Sequence, residues 1–170
     1  MIGELNLSTD KPLNSPISLI NHAYGAPGLR ILGLGPFLIP SNGLKKLKKL
    51  LDLNTSWAMG RDENQLKIML ANSDVIITLW SYKKLIGFGR ATSDCTFRAV
   101  LWDIVVADDL QGYGYGKVIV HALLNSKAIK KVEKIYLMTS NCNDFYQQLG
   151  FDIVKNQHLM LANKENLTRK

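Results

Sequence analysis

Only two cysteines, Cys95 and Cys142, occur in 170 residues, and they form no CxxC pair. This argues against a disulfide framework, supplies no zinc-ligand set, and leads us to expect a reducing compartment. Long apolar runs are absent too: no stretch approaches the roughly 18 apolar residues that a membrane helix needs. Met1 to Asp10 lack the basic start and apolar run of a secretory leader. Acid is scarce relative to base, with 14 Asp and Glu against 21 Lys and Arg, giving a net charge of +7. Such an excess suits an anionic partner, and the candidates are nucleic acid, a membrane surface or an anionic cofactor. No base-reading motif accompanies it, so neither nucleic acid nor membrane is expected as a partner.

What is present has ordinary globular composition, 46% hydrophobic and 21% charged, and a length that suits one domain over residues 1–170. Residues 1–40 are rich in Pro and Gly and read as an irregular arm, with one short strand near Leu29 to Leu34. Ser41-Asn42 offers cap chemistry before a Leu/Lys helix over Leu44 to Leu53, whose lysines 45, 46, 48 and 49 fall on the solvent face. Asp62 caps a second helix that runs to Ala71.

Val75 to Tyr82 and Leu85 to Ala91 flank a Lys83-Lys84 turn and predict a β-hairpin. A third strand spans Phe97 to Val106. Further on come a buried helix from Tyr115 to Ala128, a strand over Lys134 to Thr139, a helix over Asn141 to Leu149, and a last strand or pair of strands over Phe151 to Leu161. An antiparallel hairpin followed by a strand-helix-strand crossover predicts a mixed sheet in an α/β (mixed α+β) fold.

Between the third strand and the buried helix lies Gln111-Gly112-Tyr113-Gly114-Tyr115-Gly116. Glycines in such a turn let the backbone approach phosphates, and the helix start supplies N–H donors and the positive end of a dipole. A dinucleotide fingerprint fits badly. Its third glycine is misplaced, and no acidic residue lies near Lys134 to Met138 to hold a ribose. A Walker loop fails because GK[ST] is missing.

The segment does resemble the GNAT acetyltransferases, whose loop reads Gln/Arg-x-x-Gly-x-Gly/Ala after a strand. Phe145-Tyr146-Gln147-Gln148-Leu149-Gly150-Phe151 resembles the family's second motif, FYxxxGF, in the right order. The resemblance covers about Val75 to Leu161. Through Gly87 to Asp94 and Leu101 to Val106 it points to the cyanobacterial and plastid branch, which includes serotonin N-acetyltransferases. Two positions depart from the pattern: Asp108 stands where many members have proline, and Thr139 where most have asparagine.

The resemblance implies an acyl-CoA N-acyltransferase fold with acetyl-CoA as co-substrate and no metal. It implies transfer to a primary amine by direct attack, in the cytoplasm or plastid stroma. The acceptor is a small arylalkylamine such as serotonin, or a protein lysine or N-terminus; a homodimer is compatible with the reading. A non-catalytic acetyl-CoA sensor is the alternative that keeps the loop without turnover. Cofactor contacts fall on Ile104, Val105 and Val106 along the strand, and on Gln111, Gly112, Tyr113, Gly114, Tyr115, Gly116 and Lys117 at the loop. Tyr113 and Tyr115 serve through their main chain. Thr139, Asn141, Asn143 and Tyr146 complete the set.

A backbone N–H at Val106 aimed at the acetyl oxygen would contribute about 2.7–4 kcal/mol to catalysis. The family position of Tyr146 implies the acid that protonates the departing thiolate, since a phenol titrates near 10. Asp103 is a candidate base, although a carboxylate needs a raised pKa to serve. Trp57, Trp80, Trp102 and Phe88 are either core or the lining of an aromatic-amine pocket.

Overall fold

A computed structural model describes residues 2–4 and 16–163. By compactness the chain divides into two units, Met1–Met138 and Thr139–Lys170. The first holds a six-stranded sheet in the order β1-β2-β3-β4-β5-β6, with β1 Ile2–Glu4, β2 Ile17–Asn21, β3 Val75–Ser81, β4 Lys84–Ser93, β5 Arg98–Val106 and β6 Lys134–Tyr136. Neighbours are antiparallel from β1 to β5, and β6 joins β5 in parallel. The mixed sheet thus follows the pattern that the hairpin and crossover predict.

Among the described residues of this unit, four α-helices accompany the sheet: α1 Pro27–Leu32, α2 Gly43–Asn54, α3 Glu63–Ala71 and α4 Tyr115–Leu124. Asp62 caps α3, as the sequence predicts, and the structure adds a full capping box with Gln65, each side chain accepting the other's backbone N–H. Asn42 stands at the N-cap of α2 but is left-handed and makes no side-chain cap bond; the Ser41 hydroxyl donates to Ile39 O instead.

Residues 16–40 are more ordered than their composition suggests. Residues 29–34 do not form a strand: Pro27 fixes the first turn of α1, and left-handed Gly33, φ 63°, ends it. Ile17–Asn21 is an interior strand between β1 and β3. At the other end, residues 151–163 contain no strand. Ile153, Val154, Leu159, Met160 and Leu161 are exposed, and β propensity without a pairing partner does not make a strand.

The core follows the apolar periodicity. All of β3 is buried, and Leu47 and Leu51 of α2, Leu66 and Leu70 of α3, and Ile119 and Leu123 of α4 are fully covered. Each such side chain contributes roughly 1.5–3 kcal/mol. The α4 helix lies against the sheet at Gly87 and Gly89. A Cβ on Gly89 would stand 2.5 Å from Ile119 Cγ2, and one on Gly87 would stand 2.9 Å from Ile119 Cδ1. Bare backbone at these two places sets how close the helix behind the glycine loop can come. Trp80 and Phe88 are wholly buried, so neither lines an acceptor pocket.

Candidate active site

The site grows from one irregularity in β5. Arg90 pairs with Trp102 and Ala91 with Leu101, but past this point the register slips: Phe88 pairs with Val105 and Gly87 with Val106. Two residues of β5, Asp103 and Ile104, therefore face the single Gly89 of β4. This is a β-bulge, and Asp103 takes its left-handed position with φ 50°. Asp accepts that conformation more readily than most residues do.

The bulge reverses which edge of β5 carries which amide. Before it, Asp94 N–H donates to Arg98 O at 3.0 Å. Since bonded pairs alternate in an antiparallel ladder, the even-numbered residues of β5 bond β4 there. After it, Ala107 N–H donates to Ile86 O at 2.9 Å, so the odd-numbered residues do. The N–H groups of Ile104 and Val106 therefore turn to the other edge. β6 pairs only with Arg98, Ala99 and Val100, so from Leu101 onward that edge has no strand partner among the described residues.

The glycine loop begins where this open edge ends. Asp108–Leu110 forms a short 3-10 turn, braced by Asn54 Oδ1, which accepts from Asp108 N–H at 2.8 Å, and by the Lys84–Asp109 ion pair at 3.0 Å. Gln111 Nε2 donates back to Val106 O at 3.2 Å and to Asp108 Oδ1 at 2.8 Å. The amide that heads the loop motif thus fastens the loop to the strand end. Gly112 and Gly114 take φ 83° and 82°, and a Cβ at either would meet nothing within 4 Å. Glycine is required there by backbone conformation rather than by crowding, and the space above the loop is open.

The first intrahelical bond of α4 runs from Val118 N–H to Gly114 O. The first turn holds no acidic residue and no side-chain cap. Open glycine backbone, a helix start and the unpartnered strand edge together fit a pyrophosphate with a pantetheine arm. Tyr113 is exposed, while Tyr115 is buried, its hydroxyl without a hydrogen-bond partner and its phenol pushed up by burial. Only the main chain of Tyr115 is thus available to a ligand.

Asp103 is not the open carboxylate that a base would be. One oxygen accepts from Arg61 Nη1 at 3.2 Å and the other from Arg90 Nε at 2.5 Å, and the side chain is 5% exposed. Arg61 lies over the Trp57 ring and Arg90 over the Trp102 ring, so two of the four aromatics considered for a pocket carry guanidiniums.

In the second unit α5 spans Asn143–Gln147. Tyr146 makes edge contacts with Phe145 and Phe151, at centroid distances of 4.9 and 5.9 Å. Burial pushes its phenol up to about 12, and nearby Cys142 adds to the shift. Phe151 N–H bonds Tyr146 O and Gly150 N–H bonds Gln147 O, with Gly150 at φ 88°. This is a Schellman stop, complete with its apolar contact between Phe151 and Tyr146. Thr139 Oγ1 accepts from Cys142 N–H, and Asn141 and Asn143 are exposed. Among the described residues no group of three or more His, Cys, Asp or Glu could hold a metal, and no helix is long and apolar enough to cross a membrane.

The fold and the strand-loop-helix site define a class, and comparison with known proteins agrees with it. The acetyltransferase (GNAT) domain matches residues 69–153, half of the chain. The chain belongs to the GNAT acetyltransferase family. It is 40% identical over 113 residues to an uncharacterized N-acetyltransferase, ycf52, of Pyropia yezoensis, covering 64% of each chain. It is 34% identical over 104 residues to a Glycine max protein named histone acetyltransferase TAP1, covering 54% of this chain and 45% of that one. The matched stretch therefore spans less than two thirds of either relative. A GNAT-family acetyltransferase from Streptococcus pneumoniae superposes with TM-score 0.65 at 18% identity, over 87% of this chain and 98% of that one, a likeness of fold.

Proposed function

We propose that the protein transfers the acetyl group of acetyl-CoA to a primary amine by direct attack, without an acyl-enzyme. The observation that carries this is the reversed phase of β5, which turns the Ile104 and Val106 N–H groups onto an open edge leading into a glycine loop. Acetyl-CoA supplies an activated thioester. Gly112, Gly114 and the first turn of α4 hold the diphosphate through backbone N–H groups, and Lys117 lies in that same turn. Ile104 and Val105 align the pantetheine arm, with Thr139, Asn141 and Asn143 as its further contacts. Val106 N–H donates to the carbonyl oxygen as negative charge gathers there.

The attacking amine must arrive neutral. As its nitrogen bonds to carbon, the carbon–sulfur bond breaks and sulfur leaves with the electron pair. Tyr146 donates to that sulfur, a role taken from its motif position. A phenol at about 12 is a poor acid for a thiol of ordinary pKa near 8.5. Tyr146 therefore acts first as a neutral hydrogen-bond donor, and the proton that the attacking nitrogen sheds as the amide forms passes through water to the departing sulfur.

For the acceptor we favour an arylalkylamine such as serotonin, following the branch that the strand sequences resemble. A protein amine is the second reading, favoured by the name of the soybean relative. Coenzyme A release across serotonin, tryptamine, polyamines and lysine peptides, with Tyr146→Phe alongside, tests all of this. Selective turnover of arylalkylamines that falls about 100-fold in the variant supports the first reading. Turnover of peptides alone replaces it with the second, and cofactor binding with no turnover of any amine leaves a sensor.

A further inference from the structure

We infer that Asp103, Arg61 and Arg90 form a positioning device that holds the β5 bulge and so presents the Val106 N–H; Asp103 is not the proton acceptor. The inference rests on the proposed use of that N–H. One extra residue in β5 decides which edge its last amides face. Without the bulge, the ladder phase of residues 98–102 would continue, and Val106 N–H would bond β4 like Val100 and Trp102 before it. The extra residue exists because Asp103 sits at φ 50°.

Its side chain is gripped from two directions. Arg90 comes from β4 itself, beside the Gly89 that faces the bulge, and Arg61 comes from the connection between α2 and α3. Each guanidinium has further support. Arg90 lies over Trp102 and donates to Ser73 Oγ at 3.4 Å, and the Trp102 Nε1–H bonds Thr92 Oγ1 at 2.8 Å. Arg61 lies over Trp57 and donates to Met69 Sδ at 3.5 Å. Both carboxylate oxygens are thus taken by donors that carry no removable proton at neutral pH. The Arg61 bond also ties the 55–62 connection to the strand, so a shift in that connection acts on the same edge.

The test compares Asp103→Asn, Asp103→Ala, Arg90→Gln and Arg61→Gln in steady-state acetyl transfer, with pH profiles of kcat/KM and amide exchange at Val106. Asn tolerates the left-handed conformation and keeps one acceptor, so Asp103→Asn should lose kcat about 10-fold and Asp103→Ala about 100-fold, near the effect of losing one oxyanion donor. KM for acetyl-CoA should stay within about 3-fold, well below the 10²–10³ that removal of such a donor costs in kcat. The acid limb of the profile should remain in both. Arg90→Gln should exceed Arg61→Gln, because its bond is shorter and more buried.

Equal losses in Asp103→Asn and Asp103→Ala, with the acid limb gone, would make Asp103 the base and overturn the inference; so would wild-type kcat in Asp103→Ala. If Asp103→Ala does not fold, the order of the two arginine variants decides. If the wild type turns over no amine, the functional reading has failed, and exchange at Val106 still judges the device. The Val106 amide should exchange more slowly in Asp103→Ala, where it rejoins the ladder, and unchanged exchange would reject the inference.

Discussion

At the scale of single residues, two titrating side chains are bound to the fold in ways that their letters do not announce. His22 follows β2, and burial holds its imidazole down, to about 4. Its Nε2 lies 2.8 Å from Thr78 Oγ1, which also accepts the Trp80 Nε1–H at 2.9 Å. The Thr78 hydroxyl has one proton and two lone pairs, so after accepting from the indole it can still bond the Nε2 of a neutral ring in either tautomer. A depressed pKa contributes stability that is complete above the unfolded value, near 6.5, and lost as pH falls through the folded one. Urea unfolding should thus show stability falling by on the order of 3 kcal/mol between about pH 6.5 and 4, and His22→Gln should flatten that slope. For Tyr146 the shift is upward, so its ionisation should leave kcat untouched up to about pH 11. An alkaline limb near pH 10 that persists in Tyr146→Phe would belong to another group. Asp103 shows why the site was only partly legible at this scale: its partners Arg90 and Arg61 lie 13 and 42 positions away, and no local pattern links them.

Elements with strong local signals were readable, and those made by tertiary pairing were not. The cap at Asp62, the hairpin turn and the run into the glycine loop each encode their structure within a few residues, although the turn falls at Tyr82-Lys83, one position before the expected Lys83-Lys84. The strand Ile17–Asn21 is only five residues long beside Pro16, and its pairing with β3 lies some sixty positions away. The Pro27 and Gly33 that bracket α1 were a usable signal, masked by the density of turn-formers around them. Residues 153–161 carry strand-forming letters but remain exposed, since letters cannot supply a neighbouring edge. The packing of α4 makes a direct prediction. Gly89→Ala should destabilise the fold by about 1–3 kcal/mol, measured by urea titration, because Ile119 has to move off β4. Gly114→Ala has open space but a left-handed backbone. It should cost about 1–2 kcal/mol of strain and weaken coenzyme A binding, as calorimetry would show.

For the whole molecule the charge balance of +7 takes its meaning from the site. The Lys127, Lys130, Lys131 and Lys134 side chains are exposed, and Lys48 pairs with Asp52, so the excess is a diffuse positive field. Coenzyme A, a polyanion, should bind more weakly as salt rises and shortens the screening length. At about 100 times its dissociation constant it should stabilise the fold by about 2.7 kcal/mol, read as a rise in melting temperature. The β5 irregularity also has a hereditary side. A hydrophobic core tolerates exchange of one apolar residue for another, but the stretch from Trp102 to Val106 must keep its residue count, because one deletion would turn the Val106 N–H inward. Among descendants of this chain, insertions should gather past Phe151, and a length change within those five positions should mark a copy in which the proposed oxyanion donor is lost.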